Sequence, residues 1–472
     1  MDLPSLLAGS AAVGRVYCPR VTVQKQPPAQ PPAQPPAQAR HTCVLVLPKL
    51  GYRNDDLLEA ARRIGLDVFE ASDRCHVLAE DWRAGSLPLD FTLPQDAAAE
   101  LAAAVRAAMH KTGARPVVVR GVDEQTALIA AGASALLGLA HSPPDAVAAA
   151  KDKWEMRTRL RAAGVPSPWC ELIPRDLSGP ALQALCARAV YPCVVKPRAL
   201  SASRGVIRAD DAQELREALG RLAKLLASAP VASKREPLLD TVLVEEFLPG
   251  PEIAVEGLLE HGALKLLAIF DKPDPLDGPF FEETLYITPS RHPAALQAAA
   301  VEMTARSAHA MGLTDGPLHA ELRLTPQGPR TIEVAARSIG GLCGRTLRFG
   351  LGVSLEELVL RHAVARAGGA PFALPARETS AAGVLMLPIR KGGHLREVRG
   401  VPAARAVPGV IDVVISVRPK EELVPLPEGA SYLGFVFARA QSPDAVEASL
   451  RAAGALLEAV VAPRLELAPR QG

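Results

Sequence analysis

The 472-residue sequence has no long apolar run, no excess of either charge and no paired cysteine motif. Lys plus Arg number 53 against 51 Asp plus Glu, a net charge of +2. That balance lacks the basic surplus of a nucleic-acid binder and the acidic surplus of a polyelectrolyte, so no nucleic-acid partner is expected. A polyphosphate ligand needs only local cations and stays open. The seven cysteines (Cys18, Cys43, Cys75, Cys170, Cys186, Cys193 and Cys343) are scattered, with no CxxC or Cys/His spacing. Neither a zinc site nor a disulfide framework is implied, and reduced thiols are the plain expectation. No apolar stretch reaches the roughly 20 residues of a membrane helix. The first residues carry Asp2 and Pro4 where a signal peptide wants positive charge. A cytoplasmic protein with no membrane partner is therefore expected. Neither GxxxxGK[ST] nor GxGxxG occurs, so P-loop and Rossmann nucleotide sites are excluded.

What is present reads as a globular chain. Hydrophobic residues make up 49% and charged residues 22%, and the length implies about three domains. Residues 27–38 read PPAQPPAQPPAQ, a polyproline-type linker that cannot bury a core. Residues 1–41 are thus expected to be a leading segment. Short apolar strands at 43–47, 67–70 and 116–119 alternate with helical periodicity over 55–64 and 96–110. That order predicts an open α/β domain over 42–141 with a parallel sheet. Ser142-Pro143-Pro144-Asp145 opens a helix to about residue 163, closed by Gly164. Strands are predicted at 194–196, 241–246, 252–259 and 263–270, with helices at 212–227 and 293–311. Residues 142–370 form the central domain, with a lid over about 165–245. A smaller α+β unit over 371–472 is predicted, with strands at 381–388, 413–417 and 434–438 and a helix over 444–460.

Three clusters carry chemistry. In DGPLHAELRLTPQGPRTIEVAARSIGG, at 315–341, two strands over about 318–324 and 330–335 are joined by a turn. A hairpin there would bring Glu321 and Glu333 to one face. Paired carboxylates without His or Cys favour a hard cation such as Mg²⁺, although two solvated surface glutamates are the plain alternative. Arg337, four residues after Glu333 and before Gly340-Gly341, can grip a carboxylate or phosphate bidentately. The second cluster is Lys196 at the end of an apolar strand, followed by the small-residue loop 198–206, a combination suited to phosphate. The third is Val242 to Glu252, an apolar strand that ends in Glu245-Glu246 and turns through Pro249-Gly250. His319, two residues before Glu321, shares its face and could touch substrate or phosphate, with a packed, hydrogen-bonded histidine as the equal alternative. His394 and Arg396 read as a solvated turn.

The ordered set Asp152-Lys153, Val165-Pro166-Ser167-Pro168, Val195-Lys196-Pro197, Glu245-Glu246-Phe247-Leu248, Glu252, Glu321, Glu333 and Arg337 resembles the ATP-grasp superfamily. The likeness covers about 42–465. Residues 270–290 and the C-terminal unit are most similar to the amino-acid ligases that make dipeptides. The resemblance implies an ATP-grasp fold, α/β with α+β parts, and an ADP-forming carboxylate–amine ligase acting through an acyl phosphate. It implies ATP and Mg²⁺ as cofactors, with two ions and Mn²⁺ as a substitute, and small carboxylate and amine substrates. Lys153 and Lys196 would contact ATP phosphates, with Ser203, Arg204 and Gly205 in a lid above them. Glu245, Glu246, Phe247 and Leu248 would frame adenine, and Glu252 would take the ribose hydroxyls. Glu321 and Glu333 would hold the metal, Arg337 the acyl phosphate, with Lys196 and Glu283 also catalytic. Gly340, Glu283, Tyr286 and His319 would meet substrate.

Two departures stand out: Ala335 occupies the place of a family Asn, and Arg198, Ala199 and Leu200 replace lid glycines. A ligase for a nucleotide or cofactor precursor, or a non-catalytic ATP binder, are the competing readings. A homodimer is the default for such an enzyme.

Overall fold

A computed structural model describes residues 41–73, 86–368 and 372–464. The Pro-rich repeat at 27–38 lies outside them, as do Cys18 and Cys75.

The first layer is the expected parallel sheet, in the order Ser86–Pro88, Asp67–Ser72, His41–Leu47, Arg115–Gly121. Cys43 to Leu47 are buried without alternation, as befits a parallel strand covered on both faces. The helix Pro94–Thr112 begins on its proline and ends at Gly113, φ +69°. The helix Glu124–Leu137, which hydrophobic periodicity did not single out, starts from a capping box between Asp123 and Thr126.

The predicted helix over about 142–163 is two helices, Pro144–Lys151 and Lys153–Ala162. Asp152 takes an extended conformation (φ −99°, ψ 105°) and accepts from the backbone N–H groups of Trp154 and Glu155. Ending one helix and capping the next, it places Lys153 at the first position of the second helix.

Beyond it stand two antiparallel sheets. The smaller runs Cys170–Pro174, Thr241–Glu246, Cys193–Pro197, Ile207–Ala209. Its apolar face packs on the helix Ala212–Ala227 through Leu215, Leu219, Leu222 and Leu226. The larger has eight strands, in the order Gly328–Ala335, Gly316–Thr325, Glu252–Glu260, Ala263–Lys272, Leu285–Thr288, Ala381–Leu387, Gly434–Ala440, Val410–Ile415. The helix Ala294–Met311 covers the first half through Ala300, Met303 and Met311.

The C-terminal strands thus extend the central sheet: Leu285–Thr288 pairs antiparallel with Ala381–Leu387. The terminal helix stops at Ala455, short of the predicted residue 460, and Glu458–Ala462 is a strand on Gly393–Arg399. His394 and Arg396 lie on that strand, exposed, not in a turn. Gly393 at φ +138° permits the pairing, because a Cβ there would lie 2.3 Å from the Ala462 carbonyl oxygen.

Candidate active site

A cleft of about 880 Å³, counting space open to solvent, lies between the two antiparallel sheets. Lys153, Lys196, Ser203, Glu245, Glu246, Phe247, Leu248, Glu252, Glu283, Glu321, Glu333 and Arg337 all line it. Residues spread over nearly 190 positions of sequence therefore face one space. The hairpin geometry explains the acidic wall. Glu321 and Glu333 stand directly opposite in register, so both side chains leave the same face of the strand pair. Immediately beside them the register shifts, because Glu321 pairs with Glu333 but Leu322 with Thr331. Ile332 is the extra residue of this bulge and also lines the cleft.

The cationic wall is built by ion pairs that tie adjacent elements. Lys196 pairs with Glu245 on the neighbouring strand. Glu245 also accepts from Arg157, Nε at 3.1 Å and Nη2 at 3.3 Å. Burial depresses the Lys196 pKa against the pull of Glu245. Burial pushes Glu245 up, but Arg157 and Lys196 outweigh it and hold its carboxyl below the usual range. Lys153 donates to the Leu200 carbonyl at 2.8 Å, with Glu333 at 3.6 Å. Phe247 lies beneath two guanidiniums, Arg208 at 4.4 Å and Arg323 at 5.5 Å from its ring centre.

Lys272, the last residue of the strand Ala263–Lys272, carries no chemical signal in the sequence. Its ammonium reaches Glu252 at 2.6 Å, Glu321 at 3.1 Å and Glu283 as well, and sits 4.8 Å over the Tyr286 ring. Three carboxylates around it raise its pKa well above the ordinary lysine value, overcoming burial. Burial and the neighbouring Glu321 raise Glu283, whereas Lys272 and His319 outweigh burial at Glu321 and hold it well down.

Arg337 is held by Glu124, whose Oε1 accepts from Nε at 2.9 Å, and donates to the Ser338 carbonyl at 2.9 Å. Burial opposes ionisation of Glu124, yet Arg337 brings its pKa down to about 2. Neither Glu124, Arg157 nor Glu256 carried a sequence signal. Each lies on a helix or strand of ordinary periodicity and meets its partner across more than 60 residues.

Three expected substrate residues sit elsewhere. Tyr286 is buried in the core beneath Lys272, edge-on to Phe270 at 6.0 Å, and does not line the cleft. His319 is buried between Glu256, at 2.5 Å, and Glu321, at 3.2 Å. Glu256 overcomes burial and lifts the His319 pKa to about 9. Gly340 lies behind Arg337, whose Nη1 would be 3.9 Å from a Cβ placed there. In the lid, Ser201, Ala202 and Ser203 line the cleft. Arg204 and Gly205 instead dock on the C-terminal unit, through Arg204 Nε to the Glu428 carbonyl and Gly205 N to the Pro427 carbonyl, both 2.8 Å. With the usual glycines absent, the loop turns through Ala202 (φ 57°) and Ser203 (φ 53°), at about 1–2 kcal/mol each.

The donor set suits a hard divalent cation. Glu252, Glu283 and Glu321 each offer a carboxylate oxygen within 4.8 Å of the others, and Glu333 faces Glu321. Ala335 adds no donor, and the position opposite it is His319.

Comparison with known proteins agrees with this geometry. An ATP-grasp domain model matches residues 189–346, and an L-amino acid ligase C-terminal domain model matches residues 385–462. A D-alanine–D-alanine ligase of Aromatoleum aromaticum is 28% identical over 243 residues, 51% of this chain and 70% of that protein. Carnosine synthase 1 of Gallus gallus is 29% identical over 375 residues, 76% of this chain and 39% of that protein. The chain spans less than two thirds of the length of most of the curated relatives it matches. The crystal structure of an L-amino acid ligase from Bacillus licheniformis superposes with a TM-score of 0.70 at 25% identity. That match covers 90% of this chain and 100% of the other. The chain thus carries an ATP-grasp domain over residues 189–346, followed by a C-terminal domain that matches that of the L-amino acid ligases.

Proposed function

We propose that this protein joins a small carboxylate to an amine, both amino acids, using ATP and releasing ADP and phosphate. The observation that carries the reading is the single cleft where Glu321 and Glu333 face each other beside Lys153, Lys196 and Arg337. A carboxylate is a poor electrophile, because its charge repels a nucleophile and oxide does not leave. Transfer of the terminal phosphoryl group of ATP to a carboxylate oxygen gives an acyl phosphate and ADP. The neutral amine then attacks the carbonyl carbon, the C–O bond to phosphate breaks, and the nitrogen gives up a proton.

Lys153 and Lys196 bind and orient the nucleotide phosphates, and the 245–248 segment borders the adenine. Glu321 and Glu333 would hold Mg²⁺, which when bound offsets the negative charge of the phosphates. Arg337, steadied by Glu124, grips the carboxylate end of the acyl donor and the charge that builds there. Glu283 lies where it can accept from a substrate ammonium. Ser201 to Ser203 cover the cleft and exclude water from the acyl phosphate.

ADP release across pairs of amino acids tests the reading. Substrate-dependent ADP is expected, reduced at least about 10²-fold by Glu333→Ala, since a metal-held charge is worth several kcal/mol. AMP and pyrophosphate as products, or an active Glu333→Ala protein, would overturn it.

A further inference from the structure

A second cavity, of about 800 Å³ counting space open to solvent, shares no lining residue with the cleft. It is lined from the helix Asn54–Arg63, the single-turn helix Cys343–Thr346 with the strand Arg348–Phe349, and the C-terminal strand Val410–Ile415. Its size falls within the roughly 300–1,000 Å³ of small-molecule sites. Three arginines and four acidic residues line it, and most of them are already matched. Arg63 pairs with Glu59 at 3.1 Å, Arg345 with Asp56 at 2.8 Å, and Glu356 with Arg53, outside the cavity, at 3.6 Å. Arg348 and Asp412 are left over.

Among the described residues the half-buried Arg348 side chain makes one hydrogen bond, Nη1 to the Leu347 carbonyl at 2.8 Å, and no ion pair. The carboxylates whose charge reaches it are held by other guanidiniums: Glu356 by Arg53, Glu378 by Arg439 and Asp56 by Arg345. Burial, and then the nearby Arg439, oppose its charge, so an anion at its open edge is favoured. Asp412 is exposed, accepts from the Val413 N–H at 2.8 Å and forms no ion pair either. The apolar Ile411, 55% exposed, and Phe437 also line the space. We propose that this cavity is a second ligand site, for a small zwitterion: an α-amino acid or a short peptide. The ligand carboxylate meets the Arg348 fork, its ammonium meets Asp412, and an apolar side chain meets Ile411 and Phe437. Four acids against three arginines disfavour a polyphosphate, so this is not another nucleotide site. The inference goes beyond the ligase reading and does not rest on it.

Photo-labelling of the full chain with the diazirine analogue of L-leucine, mapped by peptide mass spectrometry, reads the site directly and needs no turnover. Label is expected on residues 54–63 and 410–415. Excess L-leucine or L-leucyl-L-leucine should displace it, and the stronger competitor tells amino acid from peptide. Arg348→Met should lower this labelling at least about tenfold, the loss of a hydrogen-bonded charge pair. Asp412 is exposed, so the fold does not depend on it. Asp412→Asn should weaken competition by L-leucine about threefold, as for an exposed ion pair. It should leave competition by 4-methylpentanoate, which lacks the ammonium, unchanged. Label absent from both segments, label undiminished in Arg348→Met, L-leucine competing equally well in Asp412→Asn, or inorganic triphosphate displacing the label better than L-leucine would overturn the proposal.

Discussion

Replacing Lys272 with Met should destabilise the protein by about 3 kcal/mol at neutral pH. The estimate starts from the geometry: one ammonium, with 2% of its side chain exposed, serves Glu252, Glu283 and Glu321 together. Removing one partner of a buried ion pair costs about 3–5 kcal/mol, because the remaining charge is left uncompensated. Glu283 and Glu321 retain 16% and 18% side-chain exposure at the cleft, so water offsets part of the loss and the lower end applies. The pH dependence has a definite sign. Lys272 has a raised pKa in the fold, so its contribution is fully present below the ordinary lysine value and lost only above the raised one. In Lys272→Met the crowded carboxylates repel one another, and their protonation in mild acid relieves it, so the deficit narrows from pH 7 to pH 5. Mg²⁺ without nucleotide should also recover part of it, by restoring positive charge among the same oxygens. Urea unfolding followed by tryptophan fluorescence, at both pH values and with and without Mg²⁺, reads all three effects. A Lys272→Met protein within about 1 kcal/mol of wild type at pH 7, with an unchanged m-value, would refute the reasoning.

Two further substitutions follow from the same kind of geometry. Glu124→Gln removes the charge that fixes Arg337 and should lower kcat about tenfold while KM for ATP stays within about twofold. A wild-type rate would remove Glu124 from the positioning of Arg337. His362 is buried against Phe372, both ring nitrogens lack hydrogen-bond partners, and burial pushes its pKa down to about 4. Below pH 6.5 the unfolded chain takes up a proton that the fold refuses until about pH 4, so stability falls through that window by up to about 3 kcal/mol. His362→Phe should flatten this acid limb in melts between pH 7 and pH 4, and an unaltered limb would exclude His362 as its source.

Much of the site was legible because its chemistry sits on local patterns. The turn at Pro326-Gln327-Gly328 brings two short strands together, and the spacing of Glu321 and Glu333 then sets them face to face. Lys196 could be read from the apolar strand that ends in it. What escaped depends on partners far away in sequence. Nothing near Arg157 announces Glu245, 88 residues on, and nothing near Glu124 announces Arg337, 213 residues on. The break at Asp152 was hidden because an Ala-rich periodicity runs through it, and only the extended backbone and the capping carboxylate divide it. The C-terminal strands read as a separate unit because their pairing with Leu285–Thr288 spans about 100 residues, beyond any local pattern.

Arg157 has a consequence beyond the cleft. Gly328–Ala335 is the outermost strand of the eight-stranded sheet, and an outermost strand offers unpaired backbone groups to any other chain. The bulge at Ile332 breaks its regular spacing, and Arg157 Nη2 donates to the Ile332 carbonyl at 2.8 Å. One fully buried guanidinium therefore both fixes Glu245 and closes the rim of the sheet. The arrangement links the order of the cleft to solubility: a chain that lost Arg157 would loosen the ion-paired wall around Glu245 and free a carbonyl on the sheet's outermost strand, a template for edge-to-edge aggregation, at the same stroke.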